Sequence, residues 1–379
     1  MAVAAELGRC QSASGDVAGV IVSNNRDATI MGIDNLSVDF TEYCPREWFT
    51  KAERLRDAVS GRLGWRRRFT GDLYIPAIEA AVGWRPDAVL LYEGLFVAGT
   101  VPAWRQALPD AALIVYLHSA LARSYGRREL QHALADVDYV VCVSEFLRSQ
   151  VLARVPKLAD RTVVVPNGVD LATFHSVEPS TAIRAEGPAG TGGSEPFTLL
   201  FVGQMAAHKG PDLMLRAMAR AADLTDRPLS AQLVGSSDYD AGDALTEYEQ
   251  TLRDLARTSN VDAAFLPFTA KDTLADLYRR ADVVCVPSIV DETFGMVAAE
   301  AMACGTPVIA TPRGGLLEVG GDAVVFVDPE DTYAFAAVIA GLADDPSEVA
   351  RLAEAGLQRS QGRTWEAATQ RLGELSRRA

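Results

Sequence analysis

The feature that most constrains this chain is a recurrent alternation of short, almost wholly apolar runs with longer amphipathic segments. The first series is VAGVIVS (17–23), AVLLYE (88–93), ALIVYLH (112–118), YVVCVS (139–144) and TVVVPN (162–167). The second is FTLLFVG (197–203), SAQLVG (230–235), AAFLPF (263–268), DVVCVPS (282–288), PVIAT (307–311) and AVVFV (323–327). A strand that is apolar on both sides must be covered on both sides, as in a parallel sheet lying between helices. Segments such as GPDLMLRAMARAAD and DTLADLYRRA place apolar residues at helical spacing and supply that cover. The pattern predicts an α/β chain built on parallel sheets.

Between the two series lies HSVEPSTAIRAEGPAGTGGSEP (175–196), rich in Gly, Pro, Ser and Thr and without an apolar period. It reads as a linker or exposed loop. A chain of 379 residues is long enough for two full domains, since a domain takes roughly 100–200 residues. The expected division is a first domain over 1–174, the linker, a second domain over 197–362 and a closing helix over 363–379, with the option of packing back on the first domain. The halves also echo each other: ALADVDYVVCVSEFLRSQV and YRRADVVCVPSIVDETFGMV share a helix end, an Asp, an apolar strand with Cys, a Ser and a second helix. Two similar doubly wound domains facing across a cleft account for both observations.

The second domain opens on a strand, a Gly turn and a helix in FTLLFVGQMAAHKGPDLMLRAM. The first does not: MAVAAELGR looks like the end of a helix, followed directly by VAGVIVS. A first strand and its Gly turn are expected upstream, so the reading is that roughly 20–30 residues precede this start. A domain that simply begins late is the other option.

Composition narrows the function. With 36 Lys+Arg against 50 Asp+Glu the formal net charge is −14, which disfavours nucleic acid and anionic lipid as partners. Residues 1–175 hold 19 basic and 20 acidic residues, net −1, and 176–379 hold 17 and 30, net −13. Any anion bound by the second half must be held by local geometry. No apolar run approaches the ~20 residues of a membrane span, and the start MAVAAELGRCQ has no basic region before an apolar core, so no signal peptide is read. The five cysteines, Cys10, Cys44, Cys142, Cys285 and Cys304, are odd in number and widely spaced. They indicate neither a disulfide framework nor a zinc site and suit a reducing cytoplasm, with Cys142 and Cys285 as small core residues.

The chemistry concentrates in VPSIVDETFGMVAAEAMACGTPVIATPRGGLLEVGGD (286–322). Thr293 is placed to cap a helix beginning Phe294-Gly295-Met296, and Gly305 to end it. Within that helix of Phe, Met, Val and Ala the one charge is Glu300, which needs a partner: a backbone or Arg contact, or the hydroxyls of a ligand. Glu292 stands just before the helix. The free amides of Phe294, Gly295 and Met296 suit a phosphate or pyrophosphate. Carboxylates for hydroxyls beside amides for phosphate describe a nucleotide-sugar site.

The E-x7-E spacing in DETFGMVAAEAMACGTPVIATPRGG (291–315) resembles the signature of the GT-B glycosyltransferases of family 4. LLFVGQMAAHKG, LVGSSDYD, FLPFTAKDTLADLYRRADVVCVPS, VPNGVD and YLHS match in family order, over about residues 85–370. SSDYDAGDALTEYEQTLRDLA is most similar to bacterial spore-coat-type and natural-product members.

The resemblance implies a cytoplasmic enzyme that takes a UDP- or GDP-sugar donor, with no separate cofactor and no metal. It transfers the sugar with retention to a small-molecule, glycan or lipid hydroxyl. Glu300 would bind the donor ribose and Glu292 the transferred sugar, beside the amides of Phe294, Gly295 and Met296. Lys209 would neutralise the diphosphate, Gly203 and Gln204 would line it, Phe268 would lie against the base, and His118 would sit near the sugar. Glu292, Lys209 and His118 are the candidate catalytic residues.

Each has a plainer reading. Lys209 can be a solvated helix-start residue, His118 and Phe268 can be core, Asn167-Gly168 can be only a turn, and Arg313-Gly314-Gly315 is either a turn or a donor-loop element. The family usually has Arg where this chain has Gln204, so Lys209, with His208 or Arg313, must carry more of the neutralisation. The basic, aromatic-flanked stretch GRLGWRRRFTGDLY (61–74) reads as a solvated face, or as a contact to an acidic acceptor or membrane surface. The competing functions are a nucleotide-sugar epimerase or a sugar phosphorylase of the same architecture and a nucleotide-sugar-binding partner without turnover.

Overall fold

The structure of the chain, a computed structural model, describes residues 10, 19–23, 34–38, 75–92, 100–120, 126–177, 195–237 and 245–379. The helix end expected over 1–9, the basic stretch at 61–74, Cys44, most of the 175–196 linker and the end of SSDYDAGD lie outside the described residues. The chain forms two compact units, Met1–Gly168 with Trp365–Ala379, and Val169–Thr364.

In the first unit, β1 (Gly19–Ser23) pairs in parallel with β2 (Asp34–Val38). The short segment DNLSV escapes a reading of apolar runs because its first two residues are Asp34 and Asn35. Helix α1 (Ile75–Trp84), β3 (Ala88–Tyr92), α2 (Val101–Ala107), β4 (Ala112–Leu117), α3 (Arg127–Ala133), β5 (Tyr139–Cys142), α4 (Glu145–Arg154) and β6 (Thr162–Val164) follow in strict alternation. Strands β3 to β6 form a four-stranded sheet in chain order, and every pairing is parallel. Every residue of β4 is buried, as its unbroken apolar sequence requires. Ser144 starts α4 by accepting the Leu147 amide at 3.1 Å, a contact worth about 1 kcal/mol.

The second unit contains β7 (Phe197–Val202), α5 (Pro211–Ala221), β8 (Leu229–Val234), α6 (Glu247–Thr258), β9 (Asp262–Leu266), α7 (Lys271–Arg280), β10 (Val283–Val286) and α8 (Met296–Ala303). It continues with β11 (Val308–Ala310), α9 (Leu316–Gly320), β12 (Val324–Phe326), α10 (Thr332–Asp344) and α11 (Pro346–Ser360). All six strands are parallel, in the order β12-β11-β10-β7-β8-β9. Leu199, Leu200, Met214, Leu215, Val283 and Cys285 are fully buried, each large aliphatic contributing about 1.5–3 kcal/mol. From β7 the chain winds outward through β8 and β9, then returns to lay β10 on the other side of β7. The carboxyl ends of β7 and β10 therefore form a topological switch point, where doubly wound sheets bind ligands.

The boundary between the units differs from the expected 1–174. Residues from Val169 onward belong to the second unit, because Val169 bridges to Thr364 and its amide donates to Arg363 O at 2.8 Å. Arg279 donates to the carbonyls of Thr173 and His175 at 3.3 and 3.2 Å, and Phe174 packs edge-on against Tyr278. The last helix, α12 (Trp365–Ser376), belongs to the first unit and contacts β4 there. Among the described residues, Cys142 and Cys285 are buried in strands as free thiols, and no helix is long and apolar enough to cross a membrane.

Candidate functional site

At the end of β7 the chain turns through Gly203. A Cβ on Gly235, at the end of the neighbouring β8, would lie 2.0 Å from the Gly203 carbonyl oxygen, so the two backbones meet only because residue 235 is glycine. Gln204 donates its side-chain amide to Ser237 O at 2.7 Å, and the Met205 amide donates to Ser236 O at 3.0 Å. The loop then makes a 3-10 turn over Ala207–Lys209. The Ile289 amide donates to His208 O at 3.0 Å, tying this turn to the segment after β10.

That tie brings Lys209 to Glu292. Lys209 Nζ lies 2.6 Å from Glu292 Oε1, with 28% and 19% of the two side chains exposed. The same oxygen accepts the Ser288 hydroxyl at 2.6 Å, and Ser288 is only 1% exposed. The main chain of Glu292 is gripped from the other side. It forms an isolated parallel bridge with Gly314, and its carbonyl accepts the Gly315 amide at 2.7 Å. Gly314 has φ 63°, and a Cβ there would stand 2.2 Å from Glu292 O. The Arg-Gly-Gly segment is thus the strap that holds Glu292. Arg313 is committed elsewhere: it donates to Ile289 O and Glu330 and pairs with Asp328.

The helix after Glu292 starts later than its sequence suggests. Its first residue is Met296 and its N-cap is Gly295 at φ 110°, so Thr293 falls outside the capping position and Phe294 outside the helix. The first i→i−4 bond runs from the Ala299 amide to Gly295 O at 3.2 Å. The amides that precede it are those of Gly295, Met296, Val297 and Ala298, a set that begins one residue later than the expected Phe294–Met296. Gly305 closes the helix as expected: its amide donates to Met302 O and that of Thr306 to Ala301 O, the Schellman pattern.

Among the described residues, Glu300 finds neither an Arg nor a backbone amide. Its Oε2 accepts the hydroxyl of the fully buried Tyr278 at 3.1 Å. Residue 300 keeps part of its surface open, yet burial of the carboxyl raises its pKa from 4.5 to about 7, against the opposing pull of the Tyr278 hydroxyl and Lys271.

Phe268 stands just past β9 and is 55% exposed, so it is not core. His118 follows β4 in the first unit, its ring 4.3 Å from that of Tyr116 and 6.0 Å from that of Tyr92. Desolvation lowers its pKa to about 4, so the imidazole is neutral at pH 7. Tyr116 in turn donates to Val165 O at 2.8 Å, next to the buried Asn167.

Four residues at or behind this site lie outside the sequence reading: Ser288, Tyr278 and Glu249 through their side chains and Ser237 through its backbone. Glu249 forms a capping box with Thr246 and also accepts the Ser237 amide at 3.1 Å, so one buried carboxylate starts α6 and fixes the residue that Gln204 grips. Burial raises its pKa, but the bonds from Thr246 and Ser237 outweigh that and leave it below the ordinary value. The T-x-x-E spacing of Thr246 and Glu249 was the available signal. Ser288 and Tyr278 had none, since each reads as the end of an ordinary element.

Comparison with known proteins bears on the family and the fold. The profile described as Glycosyl transferases group 1 matches residues 189–359, and that described as Glycosyltransferase Family 4 matches residues 35–173. A D-inositol 3-phosphate glycosyltransferase of Kribbella flavida is 38% identical over 215 residues, 55% of this chain and 48% of that protein. The putative glycosyltransferase YtcC of Bacillus subtilis is 30% identical over 226 residues, 58% and 54% respectively. The chain spans about half the length of the curated relatives it matches. Sucrose-phosphate synthase from Thermosynechococcus elongatus superposes with a TM-score of 0.71 at 23% identity, covering 98% of this chain and 91% of that one. Anabaena HepE in complex with UDP superposes with a TM-score of 0.73 at 19% identity, covering 99% and 96%. With its two parallel-sheet units, its E-x7-E segment and matches to both family profiles, the chain belongs to the GT-B glycosyltransferases of family 4.

Proposed function

We propose that the chain is a retaining glycosyltransferase that moves a sugar from a nucleoside-diphosphate sugar to a hydroxyl of a small-molecule, glycan or lipid acceptor, without a metal ion and in the cytoplasm. The observation that carries this reading is the grouping of Lys209, Glu292 and the amide end of α8 at the switch point of the second sheet. The amides of Gly295–Ala298 receive the diphosphate, Lys209 moves from Glu292 toward it, and both stabilise the charge that develops as the bond to the anomeric carbon breaks. Glu292 accepts hydroxyls of the transferred sugar, Glu300 accepts those of the ribose, and Phe268 covers the base. Gly203 and Gln204 line the diphosphate. His118, neutral at working pH, is the remaining residue we assign to the sugar. The acceptor hydroxyl attacks on the face from which the diphosphate leaves.

Neutralisation by one lysine and one helix end fits a unit whose overall charge is strongly acidic, because both act at short range and need no favourable long-range field. Gln204, engaged with Ser237, adds no charge. UDP-, GDP- and ADP-sugars are to be tested for transfer to a panel of polyols and polyol phosphates headed by D-inositol 3-phosphate, the compound in the relatives' names. Transfer with retained anomeric configuration, undiminished by EDTA, is the expected result. Tight nucleotide binding with no transfer across the panel would favour a binding partner without turnover.

A further inference from the structure

We propose that Ser288 is a positioning residue for Glu292, fixing which carboxylate oxygen is presented to the transferred sugar; this rests on the donor-site reading above. Glu292 Oε1 receives two donors, Lys209 Nζ and Ser288 Oγ, each at 2.6 Å. An ionised carboxylate only accepts, so the serine hydroxyl is the donor in its contact. Among the described residues Oε2 takes part in no hydrogen bond, which leaves it to the ligand.

The two donors on Oε1 differ in permanence. Lys209 is a long side chain with part of its surface open, and the same ammonium is the cation that a diphosphate attracts. When it turns to the diphosphate, Oε1 keeps Ser288 alone. Ser288 cannot follow: it is 1% exposed, and the next residue, Ile289, is bonded through its amide to His208 O. The Glu292 main chain is equally fixed, by the Gly315 amide at 2.7 Å. With its backbone and one oxygen both held, the carboxylate cannot rotate to offer its other edge. Orientation of Glu292 toward sugar hydroxyls therefore passes to Ser288 at the moment the donor is bound.

The consequence is a selective loss. Removing the hydroxyl disorders a contact made to the sugar and leaves the contacts made to ribose and diphosphate in place. Titration calorimetry on the full chain, with UDP against UDP-glucose and GDP against GDP-mannose, reads the two apart. For Ser288→Ala the affinity for the nucleotide sugar that the wild type binds is expected to fall about tenfold, the weight of a hydrogen bond to a charged group. Affinity for the matching nucleoside diphosphate is expected to stay within about twofold, and Ser288→Thr, which retains a hydroxyl, to recover most of the loss. Ser288→Cys, of similar volume and a poor donor, is expected to show the same split and serves if the alanine variant does not fold. Unchanged affinities for both ligands, or equal losses for both, overturn the assignment. A wild-type chain that binds none of the four ligands overturns the donor-site reading and this inference together, whereas normal wild-type binding with an unselective Ser288→Ala overturns this inference alone.

Discussion

The Tyr278 hydroxyl donates to Glu300 Oε2 across 3.1 Å, from a residue buried beneath the one charged position of helix α8. The contact explains how an otherwise apolar helix tolerates a carboxylate. It does not neutralise the group, and burial still carries the pKa from 4.5 to about 7. A proton is thus held more tightly by the folded chain than by the unfolded one. The resulting stabilisation is complete below about pH 4.5 and is lost as pH rises through about 7, a span on the order of 3 kcal/mol.

Glu300→Gln should therefore match the wild type in thermal stability near pH 5 and exceed it near pH 8. The proposed ribose contact works in the opposite direction, because hydroxyls bond best to the ionised carboxylate. Melting-temperature gain on adding nucleotide should be larger at pH 8 than at pH 5.5 in the wild type and flat in the variant. Parallel wild-type and variant curves across that range would contradict the burial of this charge.

His118 predicts a slope of the other sign. Its pKa is lowered from 6.5 to about 4 by desolvation, so folding excludes a proton that the unfolded chain accepts. The stability it contributes is present above about pH 6.5 and is lost as pH falls toward 4. His118→Gln should flatten the acid limb of the unfolding curve of the first unit and leave the Glu300 effect in the second untouched. Nuclear magnetic resonance titration of the imidazole is a direct check: a midpoint near 6.5 would rule out the desolvated environment.

The reach of the sequence can be judged on particular residues. Strands such as β4 and β10 were visible because a parallel strand buried on both faces is apolar at nearly every position. The weakly apolar β2 was hidden for the same reason. Glu292, Lys209 and Glu300 were visible as charges at strand ends or in an apolar helix, where a charge needs a partner. The partners were not visible: Ser288 and Tyr278 reach Glu292 and Glu300 through folds of the chain 4 and 22 residues away. The Thr293 cap failed on a tertiary constraint. The backbone from Glu292 to Phe294 is taken up by the Gly314-Gly315 strap, so the helix waits for Gly295 and its positive φ.

Lys209→Ala should separate chemistry from stability. The Lys209–Glu292 pair is partly solvated, and such pairs contribute about 1 kcal/mol or less. The melting temperature should move by only a few degrees. Loss of the one side-chain cation proposed for the leaving group should lower kcat/KM for transfer on the order of 10²–10³-fold. Lys209→Arg should recover part of it. Near-normal turnover in the alanine variant would refute the assigned role.

The same substitution at two glycines should give opposite signs. Gly314→Ala places a Cβ 2.2 Å from Glu292 O at a backbone φ of 63°. Backbone cannot yield there without releasing the strap on Glu292, so a loss of about 1–3 kcal/mol is expected, together with weakened binding of nucleotide sugar. Gly341 lies inside α10 with nothing within 4 Å of the Cβ it would gain. Alanine there removes backbone freedom from the unfolded chain and adds no clash, so Gly341→Ala should stabilise by about 0.5–1 kcal/mol. For a chain of this size that is a rise in melting temperature of about 1–4 °C. Both are read from urea unfolding of the two variants side by side. A stable Gly314→Ala with normal ligand affinity would mean that Glu292 is not held through this strap.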